Sequence, residues 1–202
     1  YNGIDITYRP DKNDPSIIAQ INKFRDLNYK IIGSYAYLTR IKGLEQLIKV
    51  LEKRKDLAVV IIGEGEAKNE LIELSRTLNV IDRTLFLDYL PTPYNYLSLF
   101  DVYAMCSRSE GFGLAAVEAT LMQTPVVCSN ISIFKEIFDD TKVSFFELDN
   151  ISSLLESINI AISTIGKLKA KVALNYSLNN FSGYKMASNY LDIYSNLLNG
   201  KI

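Results

Sequence analysis

The segment from Asp101 to Met122 constrains the fold more than any other. Asp101-Val102-Tyr103-Ala104-Met105 is short and apolar, the pattern of a buried strand. Leu114 to Met122 is rich in Leu, Ala and Met, the pattern of a helix. Gly111 and Gly113 lie between them, so the chain turns tightly from strand into helix. The same alternation recurs. Strand-like runs at Lys30–Tyr37, Asp56–Ile62, Thr84–Leu87, Pro125–Cys128 and Val143–Phe146 are separated by helical patterns of about 10–15 residues. This order predicts an α/β fold with a doubly wound parallel sheet. Ligands in such folds bind beyond the carboxyl ends of the strands. Loops carrying Lys42, Gly63, Tyr89 and Glu110 all follow strands, so they should converge on one edge.

The helices can be placed as well. Asp14-Pro15 reads as a cap and first turn, with Ile17, Ile18, Ile21 and Phe24 on one face of a helix reaching Leu27. Leu44, Leu47, Ile48 and Leu51 line the inner face of the next. Another ends near Leu78, and short ones are expected at Tyr94–Phe100 and Ile133–Ile137. Ile151–Thr164, Lys167–Tyr176 and Phe181–Leu198 read as three closing helices, the last two joined through Asn179-Asn180.

Chemistry concentrates at the glycines. The first turn of a helix has unpaired N–H groups and the positive end of the dipole. Gly111 and Gly113 put no side chain between those donors and a ligand, which predicts a phosphate cradle. Glu118 is the one charged residue from Phe112 to Ser129. A carboxylate on so apolar a helix needs donors, and ribose hydroxyls would serve. Glu110 would repel phosphate but could accept from neutral sugar hydroxyls. An ordinary cap at Glu110 and an internal ion pair at Glu118 are the structural alternatives.

Glu110-Gly111-Phe112-Gly113-Leu114, then Glu118-Ala119 and Thr124-Pro125-Val126-Val127, resemble the signature of retaining GT-B glycosyltransferases of the "group 1" family, which includes glycogen and sucrose synthases. The two glutamates match that family's E-x7-E element. The resemblance covers the whole chain and implies a Rossmann-like nucleotide-sugar-binding domain over 1–202, the C-terminal half of such an enzyme. It implies Lys42 and Glu110 as catalytic residues. The implied donor-binding set is Lys42, Arg40, Gly63, Tyr89, Leu90, Glu110, Gly111, Phe112, Gly113, Leu114 and Glu118. Lys42 and the amides of Phe112, Gly113 and Leu114 would meet the diphosphate, Glu118 the ribose and Glu110 the sugar. Gly63-Glu64-Gly65 resembles the family's turn beside the nucleotide, and Leu87-Asp88-Tyr89-Leu90-Pro91 its loop at the base.

Departures from the family pattern also stand out. Ala36 and Tyr37 occupy the places of its glycine and its diphosphate-binding arginine, and Arg40 is the available substitute cation. Gln123 stands where the family has glycine, and Gly183 follows Phe181-Ser182 in place of tryptophan. Asn2-Gly3-Ile4-Asp5 resembles the entry into the second domain. In the family such a final helix often crosses back onto the N-terminal domain; a helical tail that covers one edge of the sheet is the structural alternative.

Composition sets limits. The 202 residues suit one domain, and a hydrophobic content of 48% supports a substantial core. A net charge of −1 argues against a nucleic-acid partner. There is no histidine, which removes Ser-His-Asp and Cys-His catalysis from this chain. Cys106 and Cys128 lack metal-ligand spacing and read as free buried thiols of a reducing cytosol. No apolar run approaches the ~20 residues of a membrane span. No signal peptide appears, and the start at Tyr1 is that expected of a piece of a longer protein. The expectation is a cytoplasmic glycosyltransferase of polysaccharide or glycoconjugate synthesis, using a UDP-, GDP- or ADP-sugar without metal or other cofactor. Its saccharide or lipid-linked acceptor, and any peripheral membrane contact, belong to the other domain. A non-catalytic nucleotide- or partner-binding module and a GT-B nucleotide-sugar epimerase are the alternatives.

Overall fold

A computed structural model describes residues 2–5 and 13–199. Six strands form one parallel sheet: β1 Lys30–Tyr35, β2 Leu57–Ile62, β3 Thr84–Leu87, β4 Val102–Met105, β5 Val126–Ser129 and β6 Ser144–Phe146. Their spatial order is β3-β2-β1-β4-β5-β6. Strand order reverses between β1 and β4, which pair at Ile32↔Val102 and Gly33↔Tyr103. That reversal opens a crevice at their carboxyl ends.

Helices cover both faces, so the strands carry continuous apolar runs; every residue of β2 is buried. On one face Ile31, Tyr35, Val60, Ile62, Tyr103 and Met105 pack with α1 (Pro15–Asp26), α4 (Leu114–Leu121) and α5 (Ser132–Ile137). On the other, Ile32, Val59, Ile61, Val102 and Ala104 pack with α2 (Glu45–Lys53), α3 (Lys68–Thr77) and α6 (Ile151–Ile162). α2 shows why: it turns Leu47, Ile48, Val50 and Leu51 wholly inward. Each such side chain contributes about 1.5–3 kcal/mol. The helices α7 (Thr164–Asn180) and α8 (Gly183–Leu198) close the chain.

The expected elements all occur, with shifted ends. β1 stops at Tyr35, because Ala36 and Leu38 turn aside to bond with Ile62 and Glu64. The short helix expected at Tyr94–Phe100 is a 3-10 helix, Pro93–Leu99. α7 is longer than the pattern Lys167–Tyr176 implied. Ser163 caps its start, and Asn179-Asn180 form its last turn rather than a cap for α8. Ser182 is the cap of α8, accepting from the Lys185 amide. Gln123 takes φ +56 just after α4, the left-handed conformation that glycine would supply more easily. Ile4 is tied to this end of the chain: its amide donates to the Phe181 carbonyl and its carbonyl accepts from Gly183. Tyr1 lies outside the described residues.

Candidate functional site

A cavity of about 680 Å³ opens at the ends of β1 and β4, within the usual size of small-molecule sites. Its wall joins Ser34, Tyr35, Ala36 and Tyr37 at the end of β1, Lys42 before α2, and residues 105–107 and 110–115 from the end of β4 into α4. Asn2, Leu44 and Glu118 complete it. The sheet's strand reversal therefore brings together Lys42, Glu110, Gly111, Phe112, Gly113, Leu114 and Glu118 from the expected set.

The turn explains both glycines. Gly113 caps α4 at φ +83, and a Cβ there would lie 2.4 Å from the Phe134 ring. The fold itself requires that glycine. Gly111 differs: a Cβ on it would meet nothing within 4 Å. Its bare backbone faces open space in the cavity wall.

The start of α4 has no side-chain cap. Among the described residues no protein group accepts from the amides of Gly113, Leu114 or Ala115; the first bonded amides are Ala116 and Val117, both to the Gly113 carbonyl. Three donors and the positive helix end thus point into the cavity. Such an end receives a phosphate or carboxylate.

Lys42 is the cation that lines this cavity among the described residues. Its Nζ donates to Glu110 Oε1 at 2.7 Å, and Ser107 Oγ donates to the same oxygen at 2.7 Å. The pair is largely enclosed, with side-chain exposures of 26% and 11%. Buried Gln46 supports this arrangement. Its Nε2 donates to the carbonyls of Gly43 and Cys106, and its Oε1 accepts from the Asp149 amide. One side chain thereby fastens the loops after β1, β4 and β6 to each other.

Glu118 is half-buried on the cavity side of α4. Tyr35, 8% exposed, donates its hydroxyl to Glu118 Oε2 at 2.5 Å. Burial pushes the Glu118 carboxyl above the usual carboxylate range, and the Tyr35 hydrogen bond draws it partly back. Burial, with Tyr103 and Glu118 nearby, raises the Tyr35 phenol well above its ordinary value, so it remains a donor at neutral pH.

Other expected residues lie elsewhere. Arg40 does not enter the cavity; it is 82% exposed and paired with Glu70 at 2.8 Å. It borders a second cavity of about 550 Å³ with Glu45, Glu70 and Arg108. Arg108 is held there by Glu45 at 2.6 Å and by Asp149. Tyr37 does line the main cavity, at 66% exposure. Gly63, at φ +143, lets its turn lie against the loop after β1, where a Cβ would meet the Ala36 carbonyl oxygen at 2.0 Å. Tyr89 is 69% exposed and Leu90 packs on the core; both follow β3 on the same sheet edge, outside the cavity wall.

Tyr35, Ser107 and Gln46 were not singled out in the sequence. Tyr35 offered a signal, since a tyrosine within an apolar strand must find its hydroxyl a partner. Gln46 offered a similar one, as a polar residue on a helix packed by apolar neighbours. Ser107 offered none.

Comparison with known proteins agrees with this geometry. The family described as "Glycosyl transferases group 1" matches residues 17–173. The O-antigen biosynthesis glycosyltransferase WclY of Escherichia coli is 35% identical over 201 residues, covering 98% of this chain and 55% of its own length. The crystal structure of Anabaena Alr3699/HepE in complex with UDP-glucose superposes with a TM-score of 0.84 at 24% identity, over 97% of this chain and 56% of that one. The C-terminal domain of a glycosyl transferase group 1 family protein, LpcC from Francisella tularensis, gives a TM-score of 0.71 at 20% identity, over 90% of this chain and 100% of that one. The chain spans about half the length of the curated relative it matches across nearly all its residues.

Proposed function

This chain belongs to the group 1 glycosyltransferases, as their C-terminal domain, and we propose that its cavity holds the nucleoside-diphosphate sugar donor of a retaining transfer. One observation carries the reading. The open amides of Gly113, Leu114 and Ala115 share a cavity with Lys42 and are flanked by two carboxylates. Amides and ammonium suit a diphosphate, while the carboxylates suit neutral hydroxyls.

The chemistry follows from that division. Negative charge develops on the leaving diphosphate as the sugar departs, and donors fixed in place favour that charge more than the ground state. Lys42 is the mobile member: it leaves or shares Glu110 when the diphosphate arrives. Glu110, released from part of its ion pair, accepts from a sugar hydroxyl and holds the ring over the cleft. Glu118 accepts from the ribose. The acceptor is bound by the other half of the enzyme, and transfer follows closure of the two halves.

The relative's role in O-antigen biosynthesis supports a place in bacterial polysaccharide synthesis. UDP-glucose in the Anabaena complex makes a UDP-sugar the first donor to test. Calorimetric titration of UDP-, GDP- and ADP-sugars against the wild type and Glu118→Ala tests the reading. Binding of one donor class, lost in the variant, is expected. No binding of any of them at millimolar concentration, weaker than about 4 kcal/mol, overturns it. NMR of the product anomer made by the full-length enzyme tests retention.

A further inference from the structure

We infer that Tyr35 is a positioning residue that aims Glu118 at the ribose diol and so makes the site select ribonucleotide over 2′-deoxyribonucleotide donors. The inference rests on the nucleotide-sugar reading of the cavity.

The geometry is specific. A carboxylate on a helix side chain has several rotamers, and a half-buried one without a fixed partner samples them. At Glu118 one oxygen is fixed. Tyr35 reaches from the inside of the sheet and donates to Oε2 at 2.5 Å. Its ring cannot shift, because it packs on Tyr103 with centroids 4.9 Å apart. The Tyr103 hydroxyl in turn donates to the Tyr35 carbonyl at 3.2 Å. Oε1 of Glu118 has no protein donor among the described residues, and no buried side-chain oxygen is left unpartnered. It is therefore the oxygen that opens to the cavity.

A pinned carboxylate with one free oxygen recognises hydroxyls at a set place. A vicinal diol can give that oxygen two donors, whereas a 2′-deoxyribose can give one. Leaving a fixed, half-desolvated acceptor short of a donor is costly, which is the source of discrimination. A freely rotating carboxylate would turn to water and discriminate less.

The test compares affinities of the wild type, Tyr35→Phe and a control, Tyr96→Phe, for a UDP-sugar and its 2′-deoxyuridine analogue. Wild type is expected to prefer the ribose form by about tenfold or more, the worth of one hydrogen bond to a charged group. Tyr35→Phe should cut that preference to about twofold, mainly by weakening the ribose form. Tyr96→Phe removes a buried hydroxyl that accepts from the Asp14 amide, away from the cavity wall, and should keep the preference. An equal loss of both affinities in Tyr35→Phe would mean a merely structural role and overturn the inference. A second measurement stands apart from that ratio. The Tyr35 hydroxyl lowers the Glu118 carboxyl, so its removal should move the acid limb of ribose-donor binding to higher pH. An unmoved limb counts against it. Should the wild type bind no nucleotide at all, the nucleotide-sugar reading itself fails; should it bind both sugars equally, only the Tyr35 inference fails.

Discussion

Lys42 Nζ and Glu110 Oε1 stand 2.7 Å apart in the cavity wall, joining the loop after β1 to the loop after β4. The pair keeps a cation at the mouth of the site without fixing it to the fold. The pair is largely enclosed, so removing one partner strands the other charge in a poorly hydrated place.

Lys42→Met leaves the enclosed Glu110 carboxylate with Ser107 as its remaining side-chain donor and should lower the unfolding free energy by about 1–3 kcal/mol. It should weaken UDP binding by roughly tenfold or more, the worth of a charged hydrogen bond. Glu110→Gln frees the ammonium, so UDP should bind at least as well as to the wild type while the full-length enzyme transfers less sugar. Thermal unfolding and calorimetry check both. A large loss of UDP affinity in Glu110→Gln would contradict the division of labour between the two residues.

The two glycines should respond in opposite ways to alanine. At Gly113 a methyl group meets the Phe134 ring and the backbone sits at φ +83. Gly113→Ala is expected to cost about 2–4 kcal/mol of stability. At Gly111 the methyl group meets nothing, so Gly111→Ala should leave the melting temperature unchanged or slightly higher. Its effect should instead appear in donor affinity, because the methyl group projects where the ligand approaches. Melting curves and titrations of the two variants separate these outcomes.

Glu118 gives a dependence on pH. Its folded carboxyl titrates above the usual range because of burial. Between the ordinary value and the raised one, the native state holds a proton that the unfolded state has lost. Stability contributed by this group therefore falls as pH rises through that window. Glu118→Gln should raise the melting temperature at neutral pH, by about 2–4 °C per kcal/mol in a domain of this size. The gain should vanish on acidification below the ordinary glutamate range. The same variant should lose donor binding at every pH, which calorimetry at matched pH values will show.

Much of this architecture was legible beforehand because it depends on local patterns. Apolar runs bounded by glycine gave the strands, and their alternation with helices gave the parallel sheet. Glycine and glutamate spacing around Gly111 and Glu118 located the central turn. Side-chain reach was not legible. Arg40 sits two residues from Lys42, yet its guanidinium pairs with Glu70 on α3 beside the second cavity. Spacing cannot distinguish those directions when a 3-10 turn, Arg40–Lys42, separates the two side chains. Tyr35 was likewise hidden, since its partner Glu118 arrives from a helix that follows three further strands. The ends of α7 escaped for another reason: an asparagine pair reads as a break, but Asn180 Nδ2 donates to the Tyr176 carbonyl and continues the helix.

The reversal of strand order between β1 and β4 also governs when the cavity comes into being. β1 can meet β2 as soon as α2 has formed between them, but its other neighbour is made only after β2, α3 and β3. Neither early unit alone carries both Lys42 and the α4 tip, so a nascent or partly opened chain has no receptor for a donor. Any nucleotide that binds here then acts as a clasp across the last seam to close, protecting β4 and its neighbours from exchange before it protects β2 and β3.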